Sequence, residues 1–287
     1  MRAFVPEYDL VTPGNLAAAL RLLHDEPGAW RPIAGGTDLM VLFEAGKLPF
    51  RKLINIWNLS ELRGIDVKPD SITLGSLTTY TQVRRHSLLA SEFPLLGLAA
   101  SWTGGIATQN RGTLGGNIVN ASPAADTPPA LLVYDAQIEM ISATGTCWVP
   151  YAHFHTGYKQ MVMRSDELLS RIRLPRVTEG WRHYARKAGT RKAQAISKVC
   201  IAGTARMAGR TVTDIRIALG SMAPTVIRCH EAEAAVHGRE IAPETIEAAQ
   251  AAAAKACAPI DDIRSTARYR RQVAMNLVAE FLGGLAA

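Results

Sequence analysis

The sequence predicts an α+β protein built in two parts that divide near residue 176. Three observations carry this. A strand, a glycine turn, a helix and a second strand follow one another between residues 29 and 56. From Leu62 to Pro175, short alternating segments pair around turn residues, with helical stretches between them. After residue 176 the pattern restarts, with three alternating segments followed by two helices. The expected divisions are therefore 1–57, 58–176 and 177–287, the first two forming one domain.

Taken in order, Thr12-Pro13 reads as an N-cap and first helical residue for "NLAAALRLLHDE", which Pro27-Gly28 ends. "AWRPIAGG" is a strand entering a glycine turn, "DLMVLFEAG" a helix closed by Gly46, and "KLINI" (52–56) a buried strand. Together they make a small parallel βαβ unit. "RGIDV" and "ITLGS" form a hairpin, and Thr78 or Thr79 caps a helix running to His86. Further helices are expected from Pro94 to Ser101, and from near Pro123 with Ser122 as cap. "QIEMIS" and "TCWVP" make a second hairpin around Thr144-Gly145, and "RIRLP" a last strand before the linker "RVTEG". This stretch is mainly antiparallel. Beyond it, "WRHYARKAG", "ISKVCIAGTARMAG" and "TVTDIRIALGSM" read as three strands. "PETIEAAQAAAAKACA" and "ARYRRQVAMNLVAEFL" read as helices, the latter with Tyr269, Val273, Leu277 and Phe281 as a core stripe.

Composition bounds the function. The chain has 287 residues and is 48% hydrophobic, which suits packed cores and excludes a disordered chain. No apolar run approaches the roughly 20 residues that cross a bilayer, and "MRAFVPEYDL" lacks a signal-peptide core. Cys147, Cys200, Cys229 and Cys257 form no CxxC pair, so neither a disulfide framework nor a zinc or iron–sulfur motif is present. A cytoplasmic protein with isolated thiols and no membrane contact is expected. His153 and His155 read as surface histidines, with no metal site. The net charge of +7 is concentrated in residues 181–210, which hold eight Lys or Arg and no acid. Such a run serves nucleic acid, an anionic cofactor or an acidic partner, or is simply a solvated face.

Two glycine loops carry the chemistry. "IAGGTDLM" (33–40) and "RGTLGGNIVNASPAAD" (111–126) each lead towards a helix. Glycine lets backbone approach a ligand and adopt positive φ, and unpaired N–H groups in such a loop bind phosphate oxygens. The two loops could hold the two phosphates of a dinucleotide from opposite sides. Neither G-x-G-x-x-G nor a Walker loop is present. The chain also lacks a Ser/His/Asp set, paired carboxylates and HExxH.

In "AGGTDL" (34–39), "QNRGTLGGNIVNASPAAD" (109–126), "FHTGYKQ" (154–160), "ELLSRIRLP" (167–175), "KAGTRKAQAIS" (187–197) and "DIRSTARYRR" (262–271), the chain resembles the FAD-binding medium subunits of molybdenum hydroxylases, the xanthine dehydrogenase and carbon monoxide dehydrogenase flavoprotein family. The resemblance spans nearly the whole chain, and "LGSMAPTVIRCHEAE" (219–233) is most similar to the xanthine dehydrogenase branch. No cysteine group stands here for the extra iron–sulfur cluster that some relatives insert. The resemblance implies a p-cresol methylhydroxylase or vanillyl-alcohol oxidase type FAD-binding fold of two α/β subdomains. It also implies a C-terminal domain of three antiparallel strands and a helical bundle. Ile33, Ala34, Gly35, Gly36 and Thr37, with Asp38 and Leu39, would line the diphosphate from the first loop, and Thr113, Gly115, Gly116 and Asn117 from the second. Asp126 matches the acid on the adenosine side, Leu169 a position near the adenine, and Lys187 and Ile196 positions close to the isoalloxazine ring.

The implied activity is that of an oxidoreductase subunit relaying electrons. It takes them from the [2Fe–2S] clusters of a small subunit, fed by a molybdopterin-binding large subunit, and passes them through FAD to NAD or another acceptor. The implied assembly is a dimer of heterotrimers. Two other readings stand beside it: a free-standing FAD-dependent reductase of the same superfamily, and a nucleic-acid-binding protein using residues 181–210.

Overall fold

A computed structural model describes residues 7–191 and 194–286. Its first layer comprises β1 (Asp9–Val11), α1 (Leu16–Asp25), β2 (Trp30–Ile33), α2 (Leu39–Glu44) and β3 (Lys52–Asn55). The three strands are parallel, in the order β1-β3-β2. The first helix starts later than expected. Asn15, not Thr12, is its cap, with the side chain accepting from the Ala18 N–H at 2.9 Å. An Asn carbonyl two residues beyond the proline reaches the orphan amide, so Thr12-Pro13 stays outside the helix. Ala19, Leu20 and Leu23 bury against Trp30, Ile54 and Leu62.

The middle layer runs β4 (Ile65–Val67), β5 (Ser71–Gly75), α3 (Tyr80–Arg85), α4 (Ser87–Glu92), α5 (Pro94–Trp102), α6 (Ile106–Arg111), α7 (Leu114–Val119), α8 (Pro128–Val133), β6 (Gln137–Ser142), β7 (Gly145–Pro150), β8 (His155–Gly157), β9 (Gln160–Met161) and β10 (Leu168–Pro175). Five of these strands form an antiparallel sheet in the order β4-β5-β10-β6-β7. Thr79 caps α3 in a capping box with Gln82. No helix starts near Pro123. Ala121 turns the chain at φ 48°, and the next helix begins only at Pro128-Pro129, where the prolines occupy the first helical positions.

The last layer holds β11 (Arg182–Ala188), β12 (Val199–Ala208), β13 (Thr211–Gly220), β14 (Ile227–Arg228), α9 (His230–Val236), α10 (Pro243–Ala256) and α11 (Ala267–Ala286). The sheet is antiparallel in chain order, so the three expected strands gain a two-residue fourth. The stripe on α11 is rotated from the one expected. Leu277 and Phe281 are buried with Ala274 and Val278, whereas Tyr269 is 47% exposed. Phe281 sets the register: its ring fills the space over Gly203, where a Cβ would come within 2.6 Å of it.

The last sheet closes onto the middle layer. Ala202 and Ala218 belong to the central core, Arg216 Nη1 donates to the Val133 carbonyl at 3.0 Å, and the Ser221 N–H to the Pro123 carbonyl at 2.8 Å. No helix among the described residues is long and apolar enough to cross a membrane.

Candidate functional site

The first glycine loop leaves the end of β2, where Ile33 pairs with Asn55. A Cβ on Gly35 would lie 1.8 Å from the Arg111 carbonyl oxygen and 3.2 Å from Gly112 N, so the two loops touch backbone to backbone. Gly36 has φ +74°, the left-handed region that glycine enters without strain. The N–H of Met40 bonds to the Gly36 carbonyl, and those of Val41 and Leu42 to Asp38. Before them, the N–H groups of Gly35, Gly36, Thr37 and Asp38 take no acceptor among the described residues. Thr37 and Asp38 are exposed, so these amides form an open cradle for an anion.

The second loop differs from expectation: it offers no matching set of free amides. The Leu114 N–H bonds to Thr78 O, Gly115 to Ser76 O at 2.9 Å, and Asn117 to Thr113 O. The Gly116 N–H goes to Thr113 Oγ1 at 3.0 Å, with Thr113 as the cap of α7. Gly115 is small for packing, since a Cβ there would lie 2.6 Å from the Ser76 side chain. Asn117 Oδ1 accepts from the Thr127 hydroxyl, tying α7 to the start of α8. Thus Thr113, Gly115, Gly116 and Asn117 shape a wall, while Gly35 to Asp38 supply the donors.

Side chains lock the loops together. Asn120 Nδ2 donates to Asp38 Oδ1 at 3.3 Å, and Lys159 Nζ donates to the Asn120 carbonyl and Oδ1 at 2.6 and 2.7 Å. Partial burial lowers the Lys159 pKa, and Asp38 opposes the shift. Lys159 sits at φ 57°, uncommon for a side-chain-bearing residue. The motif "FHTGYKQ" contained it, but nothing in the sequence set it apart. Arg111 is held from the other side, its guanidinium 3.9 Å above the Trp57 ring, with Arg63 also against that ring at 4.7 Å. His155, expected at the surface, is half-buried. Its ring packs edge-on to Tyr151 and Phe154, Nε2 lies 2.8 Å from the Ile118 carbonyl, and burial lowers its pKa.

The resemblance set Asp126 on the adenosine side of the cofactor and Lys187 close to the isoalloxazine ring; in the structure the two form an ion pair at 2.7 Å, with side chains 8% and 10% exposed. Lys187 also donates to the Trp102 carbonyl. They therefore mark one place, where β11 of the last sheet meets the 122–127 turn. Asp126 Oδ2 carries the pair, and Oδ1 is buried with no partner among the described residues. Burial pushes the Asp126 carboxyl up to about 6, with Lys187 pulling the other way. Ser76 Oγ and Thr78 Oγ1, beneath the second loop, are likewise buried and unpartnered. Leu169 is 5% exposed and belongs to the central core. Ile196 is 65% exposed and precedes β12, so it is not a core strand residue.

Free amides in a glycine loop and a buried carboxylate oxygen without a donor fit a polar, anionic, hydroxyl-bearing ligand. A nucleotide diphosphate with its ribose has both kinds of group, so these residues fit a dinucleotide.

The comparisons with known proteins agree in kind. Residues 6–177 match the family model described as FAD binding domain in molybdopterin dehydrogenase. Residues 184–285 match the CO dehydrogenase flavoprotein C-terminal domain. The chain is similar to the xanthine dehydrogenase FAD-binding subunit of Escherichia coli O157:H7, 35% identical over 260 residues, covering 89% of this chain and 88% of that one. It is 28% identical to the carbon monoxide dehydrogenase medium chain of Hydrogenophaga pseudoflava, over 96% of each chain. In structure it resembles carbon monoxide dehydrogenase from Hydrogenophaga pseudoflava lacking the Mo-pyranopterin moiety, with a TM-score of 0.93 at 28% identity over 96% of each chain.

Proposed function

The chain belongs to the family of FAD-binding domains in molybdopterin dehydrogenases, and from that membership we propose that it is the electron-relay subunit of a xanthine dehydrogenase-like molybdenum hydroxylase. In this reading residues 1–176 form a p-cresol methylhydroxylase type FAD-binding domain and 177–287 a C-terminal domain that closes over one end of the cofactor. Bound FAD supplies the exchange between one-electron and two-electron transfer. The chain's own residues hold and orient it. The amides of Gly35 to Asp38 receive the diphosphate, the wall of Thr113 to Asn117 fixes the loop's shape, and Lys159 adds positive charge through Asn120. Asp126 presents its free oxygen at the domain contact. Electrons would arrive from the [2Fe–2S] small subunit, with the molybdopterin large subunit behind it, and leave to NAD or another acceptor. The assembly would be a cytoplasmic dimer of heterotrimers.

One observation carries the proposal: four consecutive amides, unpaired among the described residues, braced against a second loop whose own amides are satisfied. The test is FAD uptake by the purified chain. About one flavin per chain, retained through gel filtration, is expected from one cradle of this kind. A folded chain that ignores excess FAD refutes the proposal. Co-purification of two companion chains separates the subunit from a free-standing reductase.

The nucleic-acid reading loses ground. Of the basic run, Arg186 is paired with Glu280, Lys187 with Asp126 and Arg210 with Glu240, and Arg182 donates to the carbonyls of Gly284 and Leu285. Those cations are held by the protein itself and do not form a free stripe for phosphates.

A further inference from the structure

Asp126 sits where the middle layer meets the last sheet, and three elements turn a titratable group towards it. Lys187 of β11 pairs with its Oδ2 at 2.7 Å. Burial, and then the Asp126 charge, raises both the Tyr80 hydroxyl of α3 and the Cys200 thiol of β12, so both groups lie within reach of the carboxylate. The Lys187 ammonium is also fixed by the Trp102 carbonyl at 3.3 Å. The Tyr80 side chain is fixed by packing. It is 3% exposed, and a Cβ on Gly112 would lie 2.6 Å from its ring. Its hydroxyl makes no hydrogen bond among the described residues.

None of these neighbours donates to Asp126 Oδ1, which stays buried and unpartnered among the described residues. A buried carboxylate oxygen without a donor is costly. Two things relieve it. A proton can settle on the carboxyl, or a ligand can aim an O–H or N–H at the ionised oxygen. Both use the same oxygen, so the two compete. FAD carries such donors in both halves: sugar hydroxyls and the adenine amino group in the ADP half, ribityl hydroxyls and a ring N–H in the FMN half.

We propose that proton and cofactor compete at Asp126 Oδ1: FAD binds with an O–H or N–H donating to that oxygen, and the carboxyl releases its proton to solvent as the cofactor enters. This rests on the functional reading above. One O–H bond of the carboxyl breaks, the proton passes to the buffer, and a hydrogen bond from FAD takes its place; no electron moves. Burial, opposed by Lys187, holds the carboxyl of the flavin-free chain at about 6, and a donor to the ionised form pulls it down. Above that pH the carboxylate is already ionised and binding does not depend on this group. Below it, affinity falls by up to about ten-fold per pH unit.

The test is calorimetry of FAD binding to the flavin-free full chain, in two buffers of different ionisation enthalpy. The wild-type chain is expected to release most of one proton per FAD at about pH 5.5 and close to none at about pH 8, with affinity about ten-fold weaker at pH 5 than at pH 7. Asp126→Asn keeps a carbonyl acceptor but cannot titrate, so its proton release should vanish and its affinity should be level across that range. FAD binding without proton release at pH 5.5 overturns the proposal, as does release that persists in Asp126→Asn. The first result needs no variant to fold. Titrations with ADP and with FMN then place the donor, since only the half that carries it should release the proton; release by both halves overturns the single-donor assignment. A wild-type chain that takes up no FAD at any pH overturns the functional reading instead.

Discussion

Lys187→Met isolates the most buried ion pair at the contact between the last sheet and the middle layer. Asp126 and Lys187 meet at 2.7 Å with 8% and 10% of their side chains exposed. Burial moves the Asp126 carboxyl from 3.8 to about 6 even with the ammonium beside it, a rise worth roughly 3 kcal/mol. The folded state thus holds this proton more tightly than the unfolded state. Below pH about 4 both states are protonated and the group is neutral to stability. As pH rises from about 4 to about 6 the flavin-free protein loses roughly 3 kcal/mol, and nothing further is lost from this group above that window. Removing Lys187 leaves a buried carboxylate without its counter-charge, which costs about 3–5 kcal/mol once Asp126 ionises. It also extends the pH dependence upward. Urea unfolding of flavin-free protein at about pH 4.5 and about pH 8 reads this directly. Lys187→Met is expected to show the 3–5 kcal/mol deficit at the higher pH and little at the lower. Combining it with Asp126→Asn should recover most of the deficit and flatten the profile. Equal deficits at both pH values, or a double variant as unstable as Lys187→Met, would refute the reasoning.

Two further substitutions probe the cradle. Gly36→Ala forces a side chain into φ +74°, at about 1–2 kcal/mol. The resulting shift of the free amides should weaken FAD binding about ten-fold or more in a fluorescence titration, and unchanged affinity would remove Gly36 from the cradle. Lys159→Met takes the ammonium away from both Asn120 oxygens. A drop in FAD affinity of about 3–10-fold is expected, most visible at low salt, with the thermal midpoint little changed; a loss indifferent to salt would speak against an electrostatic role.

The order of the elements was legible because periodicity and turn chemistry are local. Thr79 with Gln82 three residues on, and Thr144-Gly145 between two alternating runs, say what they will form. The short elements were not legible. Six residues in α6 or α7 complete fewer than two turns, so they show no apolar stripe. The rotation of α11 was hidden too, because its face is chosen by the gap over Gly203, some 78 residues away in the chain. In the site, the first loop was readable from its glycines, but three features were not: the partnership of Asp126 with Lys187, the brace of Lys159 on Asn120, and the stack of Arg111 on Trp57. Each joins residues 39 to 61 positions apart, and only the fold brings them together.

The two Gly-Gly pairs show why residue type alone leaves a site underdetermined. The first pair sits before a short helix and the second in the first turn of one, yet both look equally open on paper. Gly35 is bare because the Arg111 carbonyl occupies the place of its side chain, and Gly115 because Ser76 does. Their hydrogen bonding is opposite. In the second loop the N–H groups from Leu114 to Asn117 all bond within the chain, which makes that loop stiff. In the first, four N–H groups stay unpaired, a state that water satisfies only if the loop remains exposed or that a ligand satisfies if it is covered. Stiffness in one loop is what keeps the donors of the other in place, since Gly35 rests directly on Arg111 and Asp38 is tied to Asn120. A side chain at Gly116 would meet only Thr113 Oγ1, at 2.9 Å, and would act on affinity through the cap of α7. At Gly35 it would drive the two loops apart. The division of labour therefore makes Gly35 the more sensitive position, although the sequence presents the pairs as equivalent.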